Sequence, residues 1–292
     1  MYGTIAPLIG ALVTIMSGIN SRFSEIAGPV VAVLIIHVVG LIAIFTISIL
    51  KGDRALPGSV APYLYLGGVI GVVTVFSSNY AFSAMGASLT VALALLGQTV
   101  FSVLADATGF LGRPKYPLSA SRIPGITLAM AGVAIMGGNW RLAGIAMIVA
   151  FTAGATSGLA TVINSELGRR KGVLHSVRAN YVTGLTTSLV IALFAQPSIP
   201  VAIGAIGQAG PLLVLGGGLI GIVVVSSINV IMPRLSVFTF TILMFTGQTI
   251  AGVIIDAVKD GLIDYRKVAG TAVLLAGLAM DTLSGKARFK TS

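Results

Sequence analysis

Cysteine is absent from this 292-residue chain. Disulfides and thiolate metal sites are therefore excluded, and the redox compartment leaves no trace. Charge is nearly as scarce. Asp, Glu, Lys and Arg together make up 9% of the residues, and only 8 of them are acids. Soluble domains carry about 25% charged residues, so this chain has too few to cover a water-facing surface. Histidine occurs twice, and a lone His in an apolar run is poor evidence for a metal. Three motifs are also missing: a GxxxxGK[ST] phosphate loop, an HExxH zinc pair and a GxSxG nucleophile elbow. ATP drive would need another subunit, and catalysis has no recognisable centre. No cofactor or metal is expected.

What remains is largely apolar. The chain is 56% hydrophobic with a mean hydropathy of +1.03. A net charge of +10 invites a nucleic-acid reading, but the basic residues stand singly or in small groups between apolar runs rather than along one face. That spacing belongs to a membrane protein. The expected fold is an all-α polytopic membrane protein, with the lipid bilayer as its solvent. About ten spans are predicted, near 3–21, 29–50, 61–82, 86–108, 123–139, 142–163, 174–195, 210–231, 235–257 and 267–285. Ten spans of about 20 residues leave only short loops. The first stretch, Met1 to Ser21, lacks a basic leader and is read as a retained span.

Basic residues set the expected orientation. The side of the two termini receives Lys51, Arg54, Arg113, Lys115, Arg122, Arg169, Arg170, Lys171, Arg234, Lys286, Arg288 and Lys290. The other side receives Arg22, Arg141, Lys259, Arg266 and Lys267. Twelve against five places both termini in the cytoplasm of a bacterial plasma (inner) membrane.

The sequence also repeats itself. A shift of 150 lays Gly67–Asp106 on Gly217–Asp256 without a gap, and fourteen of forty positions are identical. Shared apolar composition does not readily produce Gly97-Gln98-Thr99 against Gly247-Gln248-Thr249, or Asp106 against Asp256. A shift of 144 lays Asn20-Ser21 on Asn164-Ser165, Gly28 on Gly172 and Gly40-Leu41 on Gly184-Leu185. Two repeats are expected, 1–140 and 141–292. Five spans is an odd number, so the second copy enters the membrane from the opposite side, an arrangement known in secondary transporters.

Polar groups inside spans need a partner, a cavity or a packing site. Gln98, Ser102 and Asp106 recur every four residues and share one helical face, and Gln248, Gly252 and Asp256 repeat the spacing. Gln98 and Gln248, with the adjoining Thr99 and Thr249 and with Ser102, are candidate substrate-binding groups near mid-membrane; inter-helix hydrogen bonds would also explain them. Asn20, Asn164, Asn79 and Asn229 occur as symmetric pairs and are candidate substrate or gate contacts, with capping as the plainer role. His37, aligned with Tyr181, is added to the binding set, packing being its alternative. Asp106, Asp256 and Arg178 are candidates for coupling or gating. For the aspartates, helix capping or a loop ion pair is equally expected, and for Arg178 snorkelling is the default. The repeated Gly67-x-x-x-Gly71 and Gly217-x-x-x-Gly221 suit close helix approach.

On Gly97-Gln98-Thr99, Asn20-Ser21 and the five-plus-five plan, the chain resembles the drug/metabolite transporter superfamily, and within it the YdcZ-type branch, once catalogued as a domain of unknown function. It corresponds to that branch's fused double-length form. The resemblance implies an inner-membrane transporter of small polar or amphipathic molecules, often an exporter. One departure stands out. The related small multidrug exporters carry a glutamate midway along their first helix, whereas Tyr2 to Ser21 contains no carboxylate. The expected function is thus secondary transport of a small-molecule substrate by alternating access, drawing on a proton or sodium gradient where it is coupled. A channel-like facilitator is the alternative, and an enzyme is not expected.

Overall fold

The computed structural model describes residues 2–112, 114–115, 123–136 and 144–289. Within them the chain forms ten α-helices and no strand. They are α1 (Tyr2–Ala27), α2 (Pro29–Leu50), α3 (Gly67–Met85), α4 (Ala87–Thr108), α5 (Ile123–Met136), α6 (Gly144–Lys171), α7 (Val173–Ala195), α8 (Ile199–Ile231), α9 (Val237–Asp260) and α10 (Tyr265–Phe289). Eight of them are long and apolar enough to cross a membrane, and α5 is a shorter apolar helix. The protein is an all-α polytopic membrane protein. The expected repeat boundary at 140/141, and with it Arg141, Arg113, Arg122 and Lys290, lies outside the described residues.

Helix breaks follow local chemistry. Gly28 and Gly172 adopt φ of 79° and 98° between α1 and α2 and between α6 and α7, a backbone region that a side chain would strain. Pro29 then opens α2, where its missing N–H costs nothing. The expected end of the first span at residue 21 falls short of the helix, which runs to Ala27, and α6 runs on to Lys171. Charged residues stop the apolar pattern there without stopping the helix. In the same way α8 begins at Ile199, well before the expected 210, and bends at Gly210 (φ 76°) just ahead of Pro211.

Matched helices pack against each other in antiparallel fashion. In α2 and α7, a Cβ on Gly40 would overlap the Tyr181 ring, and one on Gly184 would overlap His37. In α4 and α9, Ser88 lies against Gly252 and Ser102 bonds Thr241. In α5 and α10, Gly125 lies against Gly277 and Gly132 against Gly270. The two halves also exchange contacts. Gly97 of α4 crosses α6 at the Phe151 carbonyl, and Gly247 of α9 crosses α1 at the Pro7 carbonyl. Phe151 is 144 residues beyond Pro7, and Gly247 is 150 beyond Gly97. The shifts read in the sequence are therefore the register of the packing. Only backbone-close glycine crossings permit such contacts.

Candidate functional site

Between the halves lies a cavity of about 200 Å³. Asn20, His37, Asn79 and Gln98 reach it from the first half, and Asn164, Tyr181, Asn229 and Gln248 from the second. These are four matched pairs, and all eight were candidates from sequence. Glycines make room for several of them. A Cβ on Gly67 would overlap Asn164 Oδ1, one on Gly217 would overlap Asn20 Oδ1, and one on Gly221 would overlap the Tyr181 hydroxyl. The repeated GxxxG spacing thus houses polar side chains at the cavity wall, a use beyond the backbone approach expected of it.

The pairs are matched in position but not in bonding. Asn164 Nδ2 donates to Asn180 Oδ1 at 2.9 Å. Ser176 Oγ donates to the Asn164 carbonyl at 2.6 Å and accepts from Asn229 Nδ2 at 3.1 Å. Asn20 Oδ1, Asn79 Nδ2, Asn229 Oδ1 and Thr90 Oγ1 are buried without a hydrogen-bond partner among the described residues. Gln98 Nε2 donates to Thr241 Oγ1 at 3.3 Å. Val91 occupies the position matching Thr241, so Gln248 lacks that tether. His37 Nδ1 lies 2.8 Å from the Val33 carbonyl oxygen. A carbonyl only accepts, so Nδ1 carries a proton. The ring meets Tyr181 edge-on at 6.0 Å between centroids, and the Tyr181 hydroxyl donates to the Gly218 carbonyl at 3.0 Å.

The other candidates lie elsewhere. Ser102 Oγ donates to the Gln98 carbonyl at 2.6 Å and sits 2.8 Å from Thr241 Oγ1, behind the cavity wall. Thr249 Oγ1 donates to the Phe245 carbonyl at 2.7 Å, and Thr99 faces a small crevice beside α5 and α10. Asp106 accepts from the N–H groups of Val237 and Phe238, at 3.2 and 3.1 Å, at the start of α9. Asp256 accepts from those of Ala87 and Ser88, at 2.8 and 3.0 Å, at the start of α4, and its Oδ2 also takes the Lys267 ammonium at 2.8 Å. Each aspartate thereby caps the partner helix's free N-terminal donors. Arg178 pairs with Asp53 at 3.0 Å, in the segment after α2, away from the cavity.

The two ends of the bundle differ. At the Asp256 end a vestibule of about 400 Å³ is bounded by Ser21, Arg22, Glu25, Phe82, Ala87 and Lys259, among others. Phe82 also lines the central cavity, so its ring partitions the two spaces. At the Asp106 end the matching residues Val162, Met232 and Val237 pack with Ala105 in one hydrophobic cluster. Phe82 and Asn180 were missed from sequence. Phe82 matches Met232, and two bulky apolar residues give no signal in an apolar span. Asn180 matches Ile36, so a search for symmetric polar pairs passes over it.

A family model described as "Putative inner membrane exporter, YdcZ" matches the chain twice, over residues 1–135 and 145–280. The chain belongs to this YdcZ family. The double match fits a double-length form of the YdcZ unit. Its place is therefore among multi-pass inner-membrane transporters, and the family is one of exporters rather than enzymes. No curated protein matches it significantly. A solved crystal structure is similar in fold, with a TM-score of 0.64 at 16% identity over 96% of this chain and 97% of the other.

Proposed function

We propose that this YdcZ-family chain is a secondary exporter of a small polar or amphipathic metabolite that works by alternating access. Two inverted repeats, 1–140 and 141–292, rock about the central cavity. The observation that carries this reading is one cavity lined by matched residues of both halves, with a vestibule at one end and a packed plug at the other. Two inverted copies can exchange these conformations at little cost, because each end holds the same parts. Gln98, Gln248 and the four paired asparagines bind substrate, with His37 and Tyr181 as the cross-braced floor. Phe82 is the gate toward the vestibule, and Met232 serves the opposite end. Both termini are cytoplasmic by the distribution of basic residues, which makes the Asp256 end external. The aspartates are bound by backbone N–H groups, which favours an anchoring role for them over proton carriage. Any coupling ion, proton or sodium, is then bound elsewhere.

A thermal-shift screen of the purified chain against metabolites identifies a ligand through its stabilisation of the folded state. Gln98→Ala and Gln248→Ala should each weaken that ligand at least ten-fold while inserting normally. Saturable counterflow of labelled against unlabelled ligand is expected in proteoliposomes. Wild-type affinity in both variants moves the site, and large unitary currents make the protein a channel.

A further inference from the structure

Among the described residues, no Asp, Glu, Lys or Arg lines the central cavity. Toward the two ends of the bundle, Glu166 is engaged by Arg169 at 2.6 Å and Asp256 by Lys267 at 2.8 Å. The wall offers carboxamides, hydroxyls and the ring of His37, whose Nδ1 proton is held by a backbone carbonyl. Three carboxamide atoms and a hydroxyl have no hydrogen-bond partner among the described residues. Asn20 Oδ1 and Asn229 Oδ1 can only accept, Asn79 Nδ2 can only donate, and Thr90 Oγ1 can do either. These side chains are at most 4% exposed, and a buried polar group left unpaired is costly. An ion entering this space would lose hydration with no counter-charge to replace it, which costs far more than desolvating a neutral polar group. Phe82 and Phe245 add apolar wall.

We infer that the substrate is an uncharged ring compound bearing an amide or lactam. It offers N–H donors to Asn20 and Asn229 and a carbonyl to Asn79, and lays an apolar face against the phenylalanines. This rests on the central cavity being the transport site, and it narrows the substrate to one charge class. A carboxylate would lose its hydration with no cation in the wall to replace it, and an ammonium ion with no anion; a zwitterion suffers both losses. A nucleobase or a nicotinamide-type ring suffers neither.

The test is uptake by the full chain in proteoliposomes, with protein-free vesicles as the control. Probes are ring-matched sets that differ in charge: nicotinamide against nicotinate and 3-(aminomethyl)pyridine, and uracil against orotate. Saturable, protein-dependent uptake of an uncharged member, at least ten-fold above its charged isosteres, is the expected result. Asn79→Leu should reduce it at least ten-fold. Gln248→Glu, checked for folding by gel filtration, should move preference at least ten-fold toward the aminomethylpyridine cation. Equal or greater uptake of a charged member by the native chain overturns the inference and leaves the transporter reading standing. Protein-dependent uptake of none of the probes also overturns it. In that case the transporter reading is judged separately, by counterflow with the ligand found in the thermal-shift screen.

Discussion

At the Asp256 end, Arg22 is two-thirds exposed at the rim of the vestibule and holds Glu25 at 2.8 Å. At the Asp106 end the matching residue is Glu166, 5% exposed and bridged to Arg169 and Arg170. The pair is charge-reversed between the halves: Arg22 matches Glu166, and Glu25 matches Arg169. The same turn of helix, with its ion pair spaced three residues apart, exposes both partners in one copy, whereas in the other the carboxylate is buried and only the arginines reach solvent. Under the proposed alternating access, the vestibule is one state of the bundle, which the opposite end shows in turn. The ends also differ in side chains, with Gly18, Phe82 and Ala87 at the vestibule against Val162, Met232 and Val237 in the packed cluster, and the proposal assigns the opening to tilt of the halves rather than to these substitutions. The comparison breaks if either end fails to respond as its packing requires.

The largest effect is expected where a carboxylate joins the halves. Asp256→Ala strips two N–H groups of α4 of their acceptor and leaves Lys267 without its closest counter-ion. Breaking such a buried pair costs about 3–5 kcal/mol, readable as a fall in unfolding free energy. Asp256→Asn keeps an acceptor and should lose less. Asp106→Ala removes the equivalent cap of α9 and should also destabilise. An unchanged Asp256→Ala protein would show that these caps do not hold the helices together.

Next come the glycine crossings. A methyl group at Gly97 would overlap the Phe151 carbonyl, and one at Gly247 the Pro7 carbonyl. Overpacking of this kind costs about 1–3 kcal/mol, so Gly97→Ala and Gly247→Ala should each destabilise, and by similar amounts. Equal losses would sharpen the picture of two equivalent crossings. A loss at one site alone would show that the halves are not energetically matched, whatever their geometry.

Much of this architecture was legible before any coordinates. Hydropathy locates the helices, and the shifts of 150 and 144 turn out to be the packing register at Gly97, Gly247 and Asn20. The eight paired polar candidates that reach the cavity were found because a polar residue in lipid is rare and a matched pair rarer. What escaped did so for physical reasons. Phe82 is an apolar residue among apolar residues. Ser102, Thr99 and Thr249 share the helices of the glutamines, but their hydroxyls bond backbone carbonyls or face away, as Ser and Thr in lipid commonly do. Arg178 does lie in α7, but its ion pair was not legible, because its partner Asp53 lies beyond a loop that hydropathy does not fold.

A smaller effect tests the difference between the ends directly. The absence of cysteine lets single thiols be labelled without background. Ser21 borders the vestibule, although only 5% of it is exposed, whereas its match Ser165 is fully buried beneath Met232; each is replaced by Cys in turn. Without ligand, a water-soluble maleimide should modify the first at least ten-fold faster than the second, a ratio corresponding to about 1.4 kcal/mol in access. Any condition that inverts the tilt should reverse the ratio. Equal rates would mean that the plug at the Asp106 end is no tighter than the vestibule.

The smallest effect is expected from the exposed ion pair itself. Arg22 and Glu25 lie one helical turn apart, and Ser83 Oγ also donates to Glu25 at 2.8 Å. Pairs this exposed contribute about 0.2–1 kcal/mol. Exchanging the two charges, Arg22→Glu with Glu25→Arg, gives the vestibule the same order of charge as the packed end. Stability measured by denaturant should move by less than about 1 kcal/mol, and the Ser21→Cys labelling rate should stay within about two-fold, since one pair of this strength cannot hold a tilt. Should the exchange instead close the vestibule to the label, the charge order of this turn, rather than the packing of Phe82 and Met232, would be what selects the open end.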